Sequence, residues 1–224
     1  VTHPALPTAV LWDMDGTLVN TEPLWMAAET ELVHSWGGQW SHEDGLSLVG
    51  NPLTTSASIL QERGVDLSLD EIIDYLSVRV RAGVAASTPW QPGAEALLRA
   101  LAEAGVPQAL VTSSYRNLAL PFAEVAGVFA TVVAGDDVQH AKPHPEPYLM
   151  AAEHLGVDVT RCVIVEDSPS GIGSAVAAGG RVLAVEVFTP IPDLPELSVT
   201  SSLTDITVAD LARIGAGDVL DKLS

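Results

Sequence analysis

Apolar and polar positions divide the chain into three stretches. The first holds one short apolar run, Val10-Leu11-Trp12, ending on Asp13. Apolar residues at successive positions are the pattern of a parallel strand buried on both faces. The second stretch has helical spacing only. Thr21-Glu22-Pro23 carries start signals, a candidate N-cap and a proline in the first turn. Met26, Glu29, Thr30, Val33 and Trp36 follow at mixed helical spacing until Gly37-Gly38 stops the run. A short helix is expected over 56–63, ended by Gly64. A longer one is expected over 70–86, with Ile72, Ile73, Leu76, Val80 and Val84 on one face.

The third stretch begins after Ser87-Thr88-Pro89-Trp90-Gln91-Pro92-Gly93, a linker punctuated by proline and glycine. Helix and strand patterns then alternate: helix 94–104, strand 108–111, helix 116–126, strand 131–134, helix 146–155, strand 162–165, helix 171–178 and strand 182–185. This alternation predicts an α/β fold, an open parallel Rossmann-like sheet with helices on both faces. The core is split, with residues 1–20 and 89–224 forming it. Residues 21–88 are a small all-helical piece inserted after the first strand.

Composition sharpens this picture. A chain of 224 residues suffices for one buried domain plus a smaller insert. Apolar content of 47% against 17% charged predicts a packed core rather than disorder. No apolar run approaches the roughly 18–20 residues that span a bilayer. The start, Val1-Thr2-His3-Pro4, lacks the basic-then-apolar pattern of a signal peptide, so a cytoplasmic location is expected. The net charge of −19 repels nucleic acid and anionic lipid, so neither is expected as a partner. The single cysteine, Cys162, excludes an internal disulfide and a thiolate metal site. Lying in the apolar run 162–165, it reads as a small buried hydrophobe.

Reactive residues gather where such a sheet binds ligands, outside the carboxyl ends of its strands. The first strand ends in Asp13-Met14-Asp15-Gly16-Thr17, the strand at 108–111 in Thr112-Ser113-Ser114, and the strand at 162–165 in Glu166-Asp167-Ser168. Four carboxylates on one edge would repel, and one would take up a proton unless a cation intervened. All-oxygen ligands favour a hard ion, which points to Mg²⁺. Ca²⁺ fits less well, because no loop offers about six or more spaced oxygen ligands. His140 and His144 flank Lys142 and raise a zinc alternative, but no third soft ligand is near. Solvated loop histidines are the expectation.

Asp13-Met14-Asp15-Gly16-Thr17-Leu18 resembles the first motif of the haloacid dehalogenase-like superfamily. Thr112, Lys142 within Ala141-Lys142-Pro143-His144-Pro145-Glu146-Pro147-Tyr148, and Glu166-Asp167-Ser168-Pro169-Ser170-Gly171 resemble its second, third and fourth motifs. Order and spacing also match, and the helical insert resembles the family's cap. The resemblance covers essentially the whole chain. It implies that Asp13 is the nucleophile and becomes an aspartyl phosphate. Asp15 would be general acid, then general base, with its backbone carbonyl on Mg²⁺. Thr112 and the Ser113 N–H would hold phosphate oxygens, and Lys142 would pair with Asp13 and the phosphate. Asp13 and Asp167 would be carboxylate ligands of the metal, with Glu166 binding directly or through water. The highly acidic chain must build its phosphate site from such local positive potential.

Within the superfamily the chain most resembles the β-phosphoglucomutase-like phosphatases with a helical cap. The mutase pattern places a histidine where Trp25 stands. It also places an arginine after the Val49-Gly50 turn, where Val49-Gly50-Asn51-Pro52-Leu53 offers none. A bisphosphorylated intermediate needs a second cationic grip, so a phosphomutase is the alternative rather than the leading reading. Arg79 or Arg81 could supply that grip, or be solvated helix cations. Relatives that release halide lack the second aspartate, so Asp15 argues phosphoryl chemistry. Relatives that cleave phosphonates use a cap lysine, and 21–88 contains none. Glu22, Trp25, Gly50 and Arg79 are the candidate cap contacts to substrate, Trp25 either stacking on it or serving as core. The cap is expected to close over the site about hinges at 19–21 and 87–92. The expected activity is Mg²⁺-dependent hydrolysis of a small phosphorylated metabolite, a sugar, polyol or nucleotide phosphate, by a monomer or homodimer. A catalytically silent binding protein is disfavoured, since all the acids and the lysine are present.

Overall fold

The three apolar residues Val10–Trp12 form β1 and are fully buried, as a strand covered on both sides must be. In this computed structural model, which describes residues 6–188, 190–192 and 194–223, β1 lies inside a parallel sheet. The other strands are β2 (Gln108–Val111), β3 (Thr131–Val133), β4 (Val163–Glu166), β5 (Arg181–Val185), β6 (Ser198–Thr200) and β7 (Asp221–Lys222). Their order is β3-β2-β1-β4-β5-β6-β7, with every adjacent pair parallel. The order reverses beside β1, so β1, β2 and β4 open onto the switch-point crevice where ligands bind in such sheets.

Alternate residues of these strands enter two cores. Val10, Trp12, Leu110 and Val165 pack on one face with α5 (Ala94–Glu103), α6 (Arg116–Ala126) and α9 (Val208–Gly215). Leu11, Ala109, Val111 and Ile164 pack on the other with α7 (Glu146–Leu155) and α8 (Pro169–Ala178). The expected α/β architecture is therefore present, with β2, α6 and α7 at their expected bounds. Elsewhere the bounds move. Glu166 belongs to β4 rather than following it. Helix α8 starts at Pro169 rather than 171, because the Ser168 hydroxyl accepts the Gly171 N–H and proline suits the first position. Beyond 185 the sequence reading foresaw no element, yet β6 and β7 extend the sheet there and α9 packs on it. Cys162 is a free, buried thiol whose pKa burial pushes up to about 11.

The stretch after β1 is all helical: α1 (Glu22–Ser35), α2 (His42–Leu46), α3 (Leu53–Glu62) and α4 (Leu69–Ala86). Helix α2 was not foreseen, and α3 starts at Leu53, just past Pro52, rather than at 56. The expected face of α4, Ile72, Ile73, Leu76, Val80 and Val84, is buried. It packs on α1 and α3, and α4 also packs on α6 of the sheet layer. Thr21 does not cap α1 with its side chain, which is used elsewhere. The two connections to the sheet layer run side by side. Val19 and Trp90 form an antiparallel bridge, Asn20 N–H donates to the Pro89 carbonyl at 2.7 Å, and Gln91 N–H donates to the Leu18 carbonyl at 2.8 Å. Among the described residues, no helix is long and apolar enough to cross a membrane. The expectation drawn from Val1-Thr2-His3-Pro4 lies outside the described residues.

Candidate active site

Strand β1 delivers Asp13 to the crevice, and the chain turns sharply at Gly16, which has φ +89°. A Cβ at Gly16 would collide with the Asp167 carboxylate, so glycine is required twice over, by backbone angle and by space. Asp13 is buried, and its Oδ1 accepts from Lys142 Nζ at 2.7 Å. The same ammonium donates to Glu166 Oε1 at 2.7 Å and to the Val111 carbonyl at 2.9 Å, so all three of its N–H bonds are used. Glu166 is fully buried and saturated. Its Oε1 also accepts from the Tyr148 hydroxyl at 2.7 Å, while Oε2 accepts from the Asp167 N–H at 3.1 Å and from Ser168. Gly171 leaves the room this carboxylate occupies, since a Cβ there would overlap it. Asp167 Oδ1 accepts from the Thr17 hydroxyl at 3.0 Å.

Asp15 has a shell of its own. Oδ1 accepts from Thr21 Oγ1 at 2.6 Å and Trp25 Nε1 at 3.2 Å; Oδ2 accepts from Ser114 Oγ at 2.8 Å and Thr112 Oγ1 at 3.2 Å. Two of these contacts involve residues singled out in the sequence. The Trp25 indole N–H is spent on Asp15, and the ring is mostly buried. The Thr112 hydroxyl also points to Asp15 while accepting the Ser114 N–H at 3.0 Å. Ser113 and Ser114, rather than Thr112, line the cavity above Asp13.

That cavity has a floor from the sheet layer, with Asp13, Asp15, Lys142, Asp167 and Ser168, and a roof from the helical insert. Glu22, Trp25, Glu29, Asn51, Ser56 and apolar residues around Leu48–Leu53 make the roof. Roof and floor meet where Gly50, at φ +76°, passes Ser168, and a Cβ on Gly50 would stand 2.8 Å from the Ser168 Cβ. Arg79 does not reach the cavity, contrary to expectation. Its guanidinium donates to Glu31 at 2.9 and 3.1 Å and stacks 3.4 Å over the Tyr75 ring. Arg81 donates to the Asn117 carbonyl at 3.5 Å instead.

The electrostatics fit a cation. Burial and the charge of Glu166 raise the Asp13 pKa to about 7, against the opposing pull of Lys142. Burial, then the charges of Asp13 and Glu166, push Asp167 well above the usual carboxylate range. Burial disfavours the Lys142 ammonium, but Asp13 and Glu166 outweigh it and push its pKa up. Ligand atoms of Asp13, Glu166 and Asp167 lie within 4.8 Å of one another, so three buried carboxylates crowd together while Lys142 bonds two of them. A hard divalent ion would relieve that excess, and an all-oxygen donor set suits Mg²⁺. A second cluster, His140, His144 and Glu146, is solvent-facing. Its carboxylate is already occupied by the backbone N–H groups of Gln139 and His140 and by the His140 ring, as befits solvated loop histidines.

A family model described as haloacid dehalogenase-like hydrolase matches residues 10–185. The chain belongs to the haloacid dehalogenase-like hydrolases. It is 34% identical to hexitol phosphatase A of Escherichia coli K12, over 94% of this chain and 96% of that protein. It is also 31% identical to the fructose-1-phosphate phosphatase YqaB of the same strain, over 80% of this chain and 96% of that one. Among solved structures, CbbY of Rhodobacter sphaeroides, crystallised with xylulose-(1,5)bisphosphate, superposes with a TM-score of 0.83. It is 25% identical, over 92% of this chain and 99% of that one. A β-phosphoglucomutase of Clostridium difficile, 21% identical with a TM-score of 0.80 over 94% and 98% of the two chains, shares the fold.

In this haloacid dehalogenase-like hydrolase the sequence reading missed three polar residues at the site. Tyr148 sits in the quoted lysine motif but was given no role, and Ser114 was quoted only as part of a strand ending. Glu29 was read as one more position of α1. No local signal distinguishes Tyr148 or Ser114, because their partners are distant in the chain.

Proposed function

We propose that the protein is a Mg²⁺-dependent phosphatase that hydrolyses a small phosphorylated metabolite, a sugar, polyol or nucleotide phosphate, through an aspartyl phosphate on Asp13. One observation carries it. Asp13 faces the cavity with one oxygen held by Lys142 and with Asp15 fixed beside it by four donors. The names of the hexitol and fructose-1-phosphate phosphatase relatives support the substrate class.

In the reaction, an Asp13 oxygen attacks phosphorus as the bond to the ester oxygen breaks, and Asp15 gives that oxygen a proton. Water then attacks the aspartyl phosphate, Asp15 takes its proton, and inorganic phosphate leaves. The Trp25 N–H keeps Asp15 Oδ1 an acceptor, while Thr112 and Ser114 hydroxyls can turn to accept from a proton on Oδ2. Lys142 offsets charge as the transition state forms, and the Ser113 and Ser114 segment lies where phosphate oxygens would be held. Asp13, Asp167 and the Asp15 backbone carbonyl would hold Mg²⁺, which when bound lowers the repulsion between the Asp13 carboxylate and an anionic phosphate. Glu166 would act mainly by fixing Lys142, since its oxygens are already filled. The helices of 21–88 serve as a cap over a core of 1–20 and 89–224. The reading extends to a cytoplasmic enzyme, monomer or homodimer, and the net charge of −19 argues against nucleic acid and anionic membrane as partners. A phosphomutase would need a second phosphate grip. Among the described residues, Lys142 is the one cation lining the cavity.

The test is turnover of an aryl phosphate with Mg²⁺, with excess chelator, and by Asp13→Asn. Activity is expected in the first case alone, and full activity in either of the others overturns the mechanism.

A further inference from the structure

Glu29 is an anomaly in its helix. It sits mid-way along α1 on the inward face, between Ala28 and Leu32, and is only 4% exposed. It lines the same cavity as Asp13 and Lys142. The buried carboxylates of the floor have donors, as Asp13, Glu166 and Asp167 show. Glu29 has one neighbouring donor, the Trp40 indole N–H, which favours its charged form, yet among the described residues its Oε2 and that N–H are both left without a well-formed hydrogen bond. Oε2 is sealed from the cavity and lies toward Gly45, so what meets the cavity is the rest of the side chain. A carboxylate this buried and this weakly held is costly to keep in a helix face, and its place in the cavity wall is the reason to look for a role.

The surrounding wall says what that ligand carries. Glu22, Asn51 and Ser56 supply acceptors and two-way hydrogen-bonding groups beside Glu29, while Leu48, Leu53 and Leu76 supply apolar surface. A second phosphate or a carboxylate would find no cation there and would face two glutamates. A hydroxylated carbon chain fits both sets, with its C–H faces on the leucines, its O–H groups donating to carboxylates, and its oxygens accepting from Ser56 or Asn51. We infer that Glu29 is a specificity residue that accepts a hydrogen bond from the hydroxylated, uncharged end of a polyol-type phosphate monoester. The inference rests on the phosphatase reading above and selects within its substrate class.

Selectivity and stability together test it, using the wild type and Glu29→Met, which keeps length and removes the acceptors. The substrates are a six-carbon polyol monophosphate, an aryl phosphate, an aminoalkyl phosphate and a sugar bisphosphate. The wild type is expected to prefer the polyol phosphate. In Glu29→Met the ratio of kcat/KM for polyol phosphate to kcat/KM for aryl phosphate should fall roughly ten- to a hundredfold, the size of a hydrogen bond to a charged acceptor. The fall should come with a thermal midpoint equal to or above that of the wild type, because a buried carboxylate that lacks a well-formed protein hydrogen bond is being removed. An unchanged ratio overturns the inference, as does a lowered midpoint with both substrates slowed alike, which marks a structural role. Wild-type preference for the aminoalkyl phosphate or the bisphosphate overturns it as well. In each of these outcomes the aryl phosphate is still hydrolysed and the phosphatase reading stands. If no monoester is hydrolysed, both readings fall.

Discussion

The floor and the roof of the cavity are built on opposite principles. On the floor, Lys142 uses all three N–H bonds, Glu166 accepts from lysine, tyrosine and backbone, and Asp15 has four donors. On the roof, burial and the Asp15 charge raise Glu22 to about 8, and burial raises Glu29 to about 7 with one oxygen unpaired. The floor is organised before any ligand arrives, as a site that stabilises developing charge must be. The roof holds buried carboxylates with few protein donors, as a site that chooses among ligands can. On the proposed reading chemistry rests mainly on the strand ends and choice on the insert, with Thr21 and Trp25 of the insert reaching down to hold Asp15.

Four single substitutions and two second-site changes probe this contrast, beginning with the floor. Asp13→Asn should lower aryl phosphate turnover on the order of a thousandfold or more while leaving circular dichroism unchanged. Activity near wild type would show that the floor is not the reacting part. Lys142→Met leaves Asp13 and Glu166 buried without their cation, and should cost about 3–5 kcal/mol in urea unfolding. Adding Glu166→Gln should restore part of that loss, and a double variant no better than the single would deny that the two residues act as one unit.

The roof predicts a pH effect. Glu29 titrates near its ordinary 4.5 when unfolded but at about 7 when folded, so between those values the folded state binds more protons. Stability contributed by neutral Glu29 is therefore full below about pH 4.5 and lost as pH rises through 7. Relative to Glu29→Met, the wild type should lose up to about 3 kcal/mol between pH 5 and 8, read from paired denaturant titrations. Parallel curves would place Glu29 in a better-solvated setting. The smallest effect concerns the meeting of the two halves. Gly50→Ala should cost about 1 kcal/mol from its positive φ and lower kcat/KM several-fold by pressing on Ser168. Ser168→Gly in the same chain should return much of the lost kcat/KM if contact between roof and floor is the cause.

What could be read from sequence follows the same division. The floor was legible because short apolar runs end in acids, and parallel strands bring such endings to one edge. Four motifs in order then named its residues. Side-chain partners were not legible. The contact of the Thr112 hydroxyl with Asp15 could not be read, because the two residues lie 97 positions apart. Arg79 looked available until α1 placed Glu31 against it across 48 residues. The strands β6 and β7, of three and two residues, are too short for any period to appear. Glu29 was hidden because a helical pattern records which face a residue occupies and not whether its oxygens are met.

Lys142 has a consequence beyond catalysis. Its three acceptors, on Asp13, on the Val111 carbonyl and on Glu166, belong to the ends of β1, β2 and β4, neighbours in the sheet but far apart in sequence. One side chain therefore laces three strands at their open edge, where a parallel sheet has no turns to hold it. Any opening that frays one of these ends must break the ammonium's bonds to the others. The amide protons of the three strand ends should accordingly exchange with solvent in a single concerted event, with similar protection, and at the same rate at which the chain loses and regains its reactive carboxylate.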